Sequence, residues 1–272
     1  MNVLSFEFMQ RALLACLLIG LMAPSIGVYL VQRRLALMGD GIGHVTFMGV
    51  AAGLLLGTSP VVTAMVAAAL GAVLIETLRE KGRTTSDVAL ALIFYGGIAG
   101  GAVIAFMAGA GNRILGYLFG SVLTVTRAEL VIVGITSILV LTVTFGLHRL
   151  LFAVGFDEEV ARASGLPVRR LNLLVALVAA VTIGVTMKVV GLLLVSGMLV
   201  LPVAAVQQLT STFRSTLFAS ALAGALIAVA GLLVAFYADL VPGGTIVLLS
   251  IACFGIARLA SVLLVRKERF GV

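Results

Sequence analysis

Apolar segments of about membrane-spanning length follow one another along the whole 272-residue chain. A helix needs about 20 apolar residues to cross a bilayer. Segments of roughly this kind lie near residues 10–32, 41–57, 60–79, 86–108, 127–148, 171–188, 190–208, 215–237 and 243–264. The second is short, and only residues 188–191 separate the sixth from the seventh. The sequence therefore predicts an all-α polytopic membrane protein with about eight or nine transmembrane helices, in one transmembrane domain over residues 1–272.

Composition and charge support the same class. Hydrophobic residues make up 62% of the chain and charged residues 11%, and the mean hydropathy is +1.26. The net charge of +7 comes from 18 Lys and Arg residues that stand singly or in pairs between apolar segments. Such scattered charges set membrane topology, and they form no continuous basic stripe for nucleic acid. The sequence predicts a lipid bilayer as surroundings and no nucleic-acid partner.

The distribution of basic residues predicts an orientation. Nine crossings that start outside place thirteen basic residues in the cytoplasm: Arg33, Arg34, Arg79, Lys81, Arg83, Arg149, Arg162, Arg169, Arg170, Arg214, Arg266, Lys267 and Arg269. They leave four outside, namely Arg11, Arg113, Arg127 and Lys188, with Arg258 inside the last segment. Because cytoplasmic loops carry the excess of Lys and Arg, we expect the N-terminus outside and the C-terminus in the cytoplasm.

An Asp and a His stand four residues apart at the start of the second segment. The run Gly-Asp-Gly-Ile-Gly-His at 39–44 places Asp40 and His44 on one face of a helix. Ionisable side chains inside a membrane are costly and usually mark a substrate path, so both are candidate ligands of one cation. Two structural readings stay open beside this one. Asp40 is also a reasonable helix N-cap, and His44 a buried imidazole paired with a backbone carbonyl.

The polar loop from Phe156 to Pro167 has the sequence of a short, complete helix. Asp157 is a suitable N-cap, and Glu158 and Glu159 follow at the positive end of the helix dipole. Gly165 is a typical helix stop, and the proline after Leu166 prevents continuation. This loop is either an ordinary surface connection or a segment to which another protein docks.

Two further segments lie between apolar segments. Residues 109–126 are polar and Gly-rich, which predicts a short interfacial or re-entrant helix on the outer side of the membrane. Asp239, close to Pro242 and Gly243, forms either an outer turn or a contact of an outer gate.

The Gly-rich run at 96–101 contains two overlapping small-xxx-small pairs, which predict close helix packing or a hinge.

The motifs of several enzyme classes are absent from the sequence. A P-loop needs Gly-Lys-Ser or Gly-Lys-Thr, but the three lysines are followed by Gly82, Val189 and Glu268. The sequence also contains no His-Glu-x-x-His motif. We therefore expect this chain not to be an enzyme and not to hydrolyse ATP through a P-loop.

The segment around Asp40 is similar to a known signature. Residues 34–50 resemble the Gly-Asp-Ala-x-Ser-His signature of permease subunits in the zinc/manganese family of ABC importers. The resemblance continues through residues 117–121, 156–167, 190–202 and 239–247, and it covers nearly the whole chain. One departure is Gly43, where the family often has Ser, so a third ligand is not expected from that position.

The resemblance implies an ABC importer permease fold and several partners. These are a second copy of the chain, two cytoplasmic P-loop ATPase subunits and an extracytoplasmic metal-binding protein, all at the cytoplasmic (inner) membrane. The implied cargo is a divalent ion of zinc, manganese or iron, held by Asp40 and His44, with no permanently bound cofactor. The loop at 157–165 would be the coupling helix, so contacts with the ATPase are expected at Asp157, Glu158, Glu159, Ala163 and Gly165.

Two other functions remain alternatives at this point. An ATP-independent metal channel or ion-coupled carrier would use Asp40 and His44 as a proton-linked site. A membrane scaffold without transport would use neither. ATP-dependent metal flux separates the three classes.

Overall fold

The structure, a computed structural model, describes residues 6–80 and 86–270, so that Lys81 and Arg83 lie outside the described residues. Within these ranges the chain forms helices and turns only. The helices are α1 (Glu7–Gln32), α2 (Met38–Leu55), α3 (Pro60–Glu80), α4 (Ser86–Met107), α5 (Gly111–Phe119), α6 (Arg127–Gly146), α7 (His148–Phe156), α8 (Glu158–Ala163), α9 (Val168–Val190), α10 (Leu192–Gln207), α11 (Phe213–Tyr237) and α12 (Pro242–Phe270). The all-α polytopic fold predicted from the sequence is confirmed.

Seven of the described helices are long and apolar enough to cross a membrane: α1, α3, α4, α6, α9, α11 and α12. The remaining two predicted segments are also helical but shorter. Helix α2 has 18 residues and α10 has 16. Helix α10 is separate from α9 because Gly191 stands between them with φ of +99°. The predicted count of eight or nine is therefore approximate: seven full-length helices and two shorter ones.

Helices α1 and α9 form the centre of the bundle. In each, 72% of the most apolar 18-residue window is buried, against 17% in α12. Both have apolar side chains on all sides, as expected for a helix surrounded by other helices. The outer helices, such as α4 and α12, expose Leu, Ile, Val and Phe side chains. These outer faces suit contact with lipid, because the transfer of apolar side chains from water to the hydrocarbon of a bilayer is favourable.

Glycines allow the central helices to approach closely. Gly20 on α1 lies against Gly224 on α11, where a Cβ on residue 20 would be 2.6 Å from the Gly224 carbonyl oxygen. Such contacts leave no room for a side chain, and small residues are what permits close packing of helices in lipid. Polar side chains are few along α1. One of them, Tyr29, donates a hydrogen bond from its hydroxyl to the Thr144 carbonyl of α6.

The bundle has two distinct ends. The first, which we call the α8 end, contains the last residues of α1, the first residues of α2 and helix α8. At the opposite end, the α5 end, helix α5 and a 3-10 turn at Val122–Thr124 pack beside the break between α9 and α10. The Ser121 amide donates to the Lys188 carbonyl at 2.9 Å, and the Lys188 ammonium pairs with Glu129. The predicted short helix within residues 109–126 is thus confirmed as α5.

Candidate functional site

Asp40 and His44 lie in consecutive turns of α2, on the same face. The helix begins at Met38 with Leu37 as N-cap residue, so Asp40 is the third residue of the helix. The interpretation of Asp40 as the N-cap is therefore wrong: its carboxylate lies inside the first turn, where it still faces the positive end of the helix dipole. Asp40 is near enough to His44 for the two side chains to interact electrostatically.

Helix α4 fixes the position of His44. The Phe94 ring meets the imidazole edge-on, with 4.4 Å between ring centroids and 76° between ring planes. One turn further along α4, Gly97 lies against the His44 backbone. Both side chains of the Asp40/His44 pair are half-buried, and in the described part of the chain neither makes a hydrogen bond. The carboxylate oxygens and a ring nitrogen are therefore available to a ligand.

The two candidate ligands of one chain are too few to surround a metal ion. No group of three or more His, Cys, Asp or Glu side chains able to hold a metal occurs within residues 6–80 and 86–270. Helix α10 comes close on one side, since a Cβ at Gly39 would be 3.5 Å from the Ser196 Cβ. A tetrahedral or octahedral ion needs at least four donors, so Asp40 and His44 of one chain cannot complete a site.

The short helix predicted in the loop at 157–165 is present as α8. The Asp157 carboxylate accepts hydrogen bonds from the Glu159 amide at 2.9 Å and the Val160 amide at 3.0 Å. At the other end, Gly165 has φ of +80°, and its amide donates to the Arg162 carbonyl. The Leu166 amide donates to the Ala161 carbonyl, which completes a Schellman motif. The helix is thus capped at both ends, as its sequence predicts.

The exposed face of α8 differs in part from the face predicted for docking. Asp157, Glu159, Ala163 and Gly165 are exposed, whereas the Glu158 side chain is half-buried and accepts a hydrogen bond from Asn172. Two apolar side chains on either side of the Asp157 cap, those of Phe156 at the end of α7 and Val160 on α8, are 78% and 61% exposed. The sequence analysis missed these two. Both apolar residues were visible in the sequence, but nothing local showed that they point away from the bundle.

A second group that the sequence analysis missed surrounds the end of α1. Arg33 donates to Asn172 of α9, and Glu76 of α3 pairs with Arg79 at 2.9 Å. Burial lowers the pKa of the Arg33 guanidinium, and the Glu158 and Glu76 carboxylates oppose this change. Charged residues from the end of α1, from α3 and from α8 therefore meet at the α8 end, with the neutral Asn172 of α9 between two of them.

Asp239 lies in the turn after α11. It has φ of +55°, and the next amide, of Leu240, donates to the Ala235 carbonyl at 2.9 Å. This is the left-handed position of a helix C-terminus, which Asp and Asn tolerate better than most residues. The outer-turn interpretation agrees with this geometry, and a role of Asp239 in a gate stays a prediction.

The fold defines a multi-pass helical membrane protein, and Asp40 and His44 on α2, packed against α4, are its candidate cation ligands. Residues 5–261 match the model of the ABC 3 transport family, and the chain therefore belongs to that family. This finding confirms the resemblance to permease subunits of metal-transporting ABC importers.

Relatives agree with this assignment over nearly the full length. The chain is 31% identical to the "Manganese transport system membrane protein MntC" of Halalkalibacterium halodurans, covering 94% of this chain and 88% of the relative. It is 34% identical to a "Probable metal transport system membrane protein" of Treponema pallidum, covering 92% and 94%. Among solved structures, PsaBC from Streptococcus pneumoniae in complex with Fab gives a TM-score of 0.85 at 27% identity, covering 94% of this chain and 92% of that chain.

Proposed function

We propose that this chain is the membrane-spanning permease subunit of an ATP-driven importer of divalent metal ions, and that it forms the translocation path. One observation carries the proposal: a carboxylate and an imidazole, both without hydrogen-bond partners in the described part of the chain, share one face of a helix inside an apolar bundle. Such a pair is costly in a membrane unless it serves a substrate. Membership of the ABC 3 transport family supports the same function.

Two copies of the chain complete the metal site. Each contributes one Asp40 oxygen donor and one His44 nitrogen donor, so a two-fold pair offers two of each. Mixed oxygen and nitrogen ligands suit zinc and are acceptable to manganese and ferrous iron. Relatives of this chain are named for manganese, iron and zinc transport, which agrees with this ligand set. A site shared between two copies also opens when they move apart, which releases the ion.

The α8 end faces the cytoplasm in this proposal, with the N-terminus outside. The excess of basic residues at this end supports that orientation. Helix α8 then presents Val160, with Asp157, Glu159 and Ala163 beside it and the exposed Phe156 of α7 just before it, to a groove in a separate P-loop ATPase subunit. The α5 end faces the extracytoplasmic binding protein that delivers the metal.

Reconstitution tests the proposal. The permease is placed in liposomes with and without its ATPase, the loaded binding protein is added, and uptake of labelled manganese, zinc and iron is measured with and without ATP. We expect uptake of at least one metal only when the ATPase and ATP are both present, and none in Asp40→Asn. Glu7→Gln is the control, since Glu7 is an exposed carboxylate paired with Arg127. Uptake without ATP would favour the carrier, and normal uptake by Asp40→Asn would contradict the metal site.

A further inference from the structure

A continuous chain of hydrogen bonds joins α8 to the end of α1. The Glu158 carboxylate, on the first residue of α8, accepts from the Asn172 side-chain amide at 3.0 Å. The carbonyl oxygen of the same Asn172 side chain accepts from the Arg33 guanidinium at 2.6 Å. Asn172 is buried, with 6% of its surface exposed. Because one buried amide binds an anion on one side and a cation on the other, neither neighbour can move without affecting it.

Arg33 is linked in turn to the first turn of α2. It follows the last residue of α1, and the next residues form a compact turn: the Arg34 amide donates to the Val31 carbonyl and the Leu35 amide to the Leu30 carbonyl. The Met38 amide then donates to the Leu35 carbonyl. Successive hydrogen-bonded turns therefore connect Arg33 with the helix that carries Asp40, and leave little slack between them.

Two hydrogen-bond donors of the Arg33 guanidinium, Nε and Nη2, are buried and have no partner among the described residues. The same is true of a neighbouring acceptor, the Gln32 Oε1 atom. Leaving buried donors unpaired is costly. Glu158 and Glu76 both act electrostatically on this group, so other acceptors are within reach if the helices shift. Unpaired donors with alternative acceptors nearby allow Arg33 to form different hydrogen bonds in two arrangements of the helices. A residue that only held one arrangement would have all its donors paired.

We propose that Asn172 and Arg33 are positioning residues that pass a displacement of α8 to the Asp40 turn of α2. The inference rests on the proposed function, since it supposes that an ATPase moves α8. It adds the route by which that movement reaches the metal site. Neither residue contacts the cargo; each acts by holding two helices in register.

The test uses the complete transporter in proteoliposomes, with ATPase and binding protein. Asn172→Leu keeps the side-chain size and removes both hydrogen bonds. We expect metal transported per ATP hydrolysed to fall about fivefold or more, while metal affinity of the permease and co-purification with the ATPase stay unchanged. Gln208→Leu is a control for loss of a side-chain amide, because it removes an exposed hydrogen bond from Arg258 at 3.0 Å that does not involve α8.

Glu158 provides a second, independent measurement. Glu158→Gln keeps an oxygen that accepts from Asn172 and should retain coupling, whereas Glu158→Ala should lose it. In the double variant Glu158→Ala/Asn172→Leu the losses should not add, because both substitutions break the same chain. Additive losses, or equal effects of Gln and Ala, would contradict the relay.

The outcomes separate this inference from the function on which it rests. If the unmutated transporter takes up metal in an ATP-dependent manner and Asn172→Leu transports as much metal per ATP, the relay is wrong and the function stands. If Asn172→Leu loses metal affinity or the ATPase, the residue is purely structural and the relay is likewise wrong. If the unmutated transporter shows no ATP-dependent uptake, the function and the relay both fail.

Discussion

Gly97 of α4 lies so close to His44 of α2 that a Cβ atom on residue 97 would be 2.6 Å from the His44 carbonyl carbon and 2.9 Å from its carbonyl oxygen. The neighbouring Gly96 has no atom within 4 Å of its own Cβ position. One glycine of the pair is therefore required for the approach of α4 to the candidate metal site. The other is not.

This difference predicts unequal effects of the same substitution. Gly97→Ala should force α4 away from α2, destabilise the protein by about 1–3 kcal/mol and weaken metal binding at His44. Gly96→Ala should change stability by no more than about 0.5 kcal/mol. Thermal unfolding in detergent and metal titration of both variants provide the measurement. Equal behaviour of the two would contradict the packing described at this crossing.

A metal site shared by two chains predicts the number of metal ions bound per chain. The purified permease should bind one metal ion per two chains, since residues 6–80 and 86–270 of one chain bring no third His, Cys, Asp or Glu side chain to Asp40 and His44. His44→Gln should abolish this binding because it removes one nitrogen donor per chain. His148→Gln is the matched control: it changes the only other histidine, which bonds the Phe145 carbonyl. Calorimetric titration gives the ratio, and one ion per chain would exclude the shared site.

Metal binding should weaken on acidification. Only a neutral imidazole offers a lone pair to a metal, so a proton on His44 competes with the ion. Apparent affinity should therefore fall as the solution is taken from about pH 8 to pH 5. His148→Gln should leave this pH profile unchanged. A profile that also shifts in His148→Gln would place the responsible proton elsewhere.

Features encoded locally in the sequence were predictable. Membrane-spanning helices follow from the length of apolar segments, and the caps of α8 follow from Asp157 and Gly165, because each cap bonds to residues a few positions away. Helix α2 shows the limit of such reasoning. Asp followed by Gly is a common helix start, but α2 begins two residues earlier.

Features that depend on packing between distant segments were not predictable. Phe94 meets His44 across two helices, and Arg33 bonds Asn172 across 139 positions. Neither pair leaves a periodic or spaced pattern in the sequence. The exposed Phe156 and Val160 were missed for the same reason: an apolar residue in a membrane protein points to lipid, core or partner according to the fold around it.

The residue after the C-cap of α1 has a backbone conformation that favours glycine. Arg34 has φ of +58°, in the left-handed position that glycine adopts without penalty. Arg34→Gly should therefore be more stable than Arg34→Ala by roughly 1 kcal/mol, because Ala keeps the Cβ that opposes this conformation. Thermal unfolding of the two variants gives the comparison, and equal stability would show that the turn relaxes to another conformation.

Helix α8 should depend on Gly165, the residue that follows its C-cap. Gly165 also has a left-handed backbone, with φ of +80°, and no atom lies within 4 Å of its Cβ position, so conformation and not space restricts the residue. Gly165→Val should strain the Schellman turn by roughly 1–3 kcal/mol, tilt α8 and weaken its docking to the ATPase. Gly165→Asn is the control, since Asn tolerates this conformation. Metal binding by the permease alone should stay intact in both variants, because Asp40 and His44 lie on another helix. In Gly165→Val, ATP hydrolysis should no longer respond to the loaded binding protein. If this variant instead keeps full ATP-coupled transport and co-purifies normally with the ATPase, α8 has no coupling role and is only a well-capped surface helix.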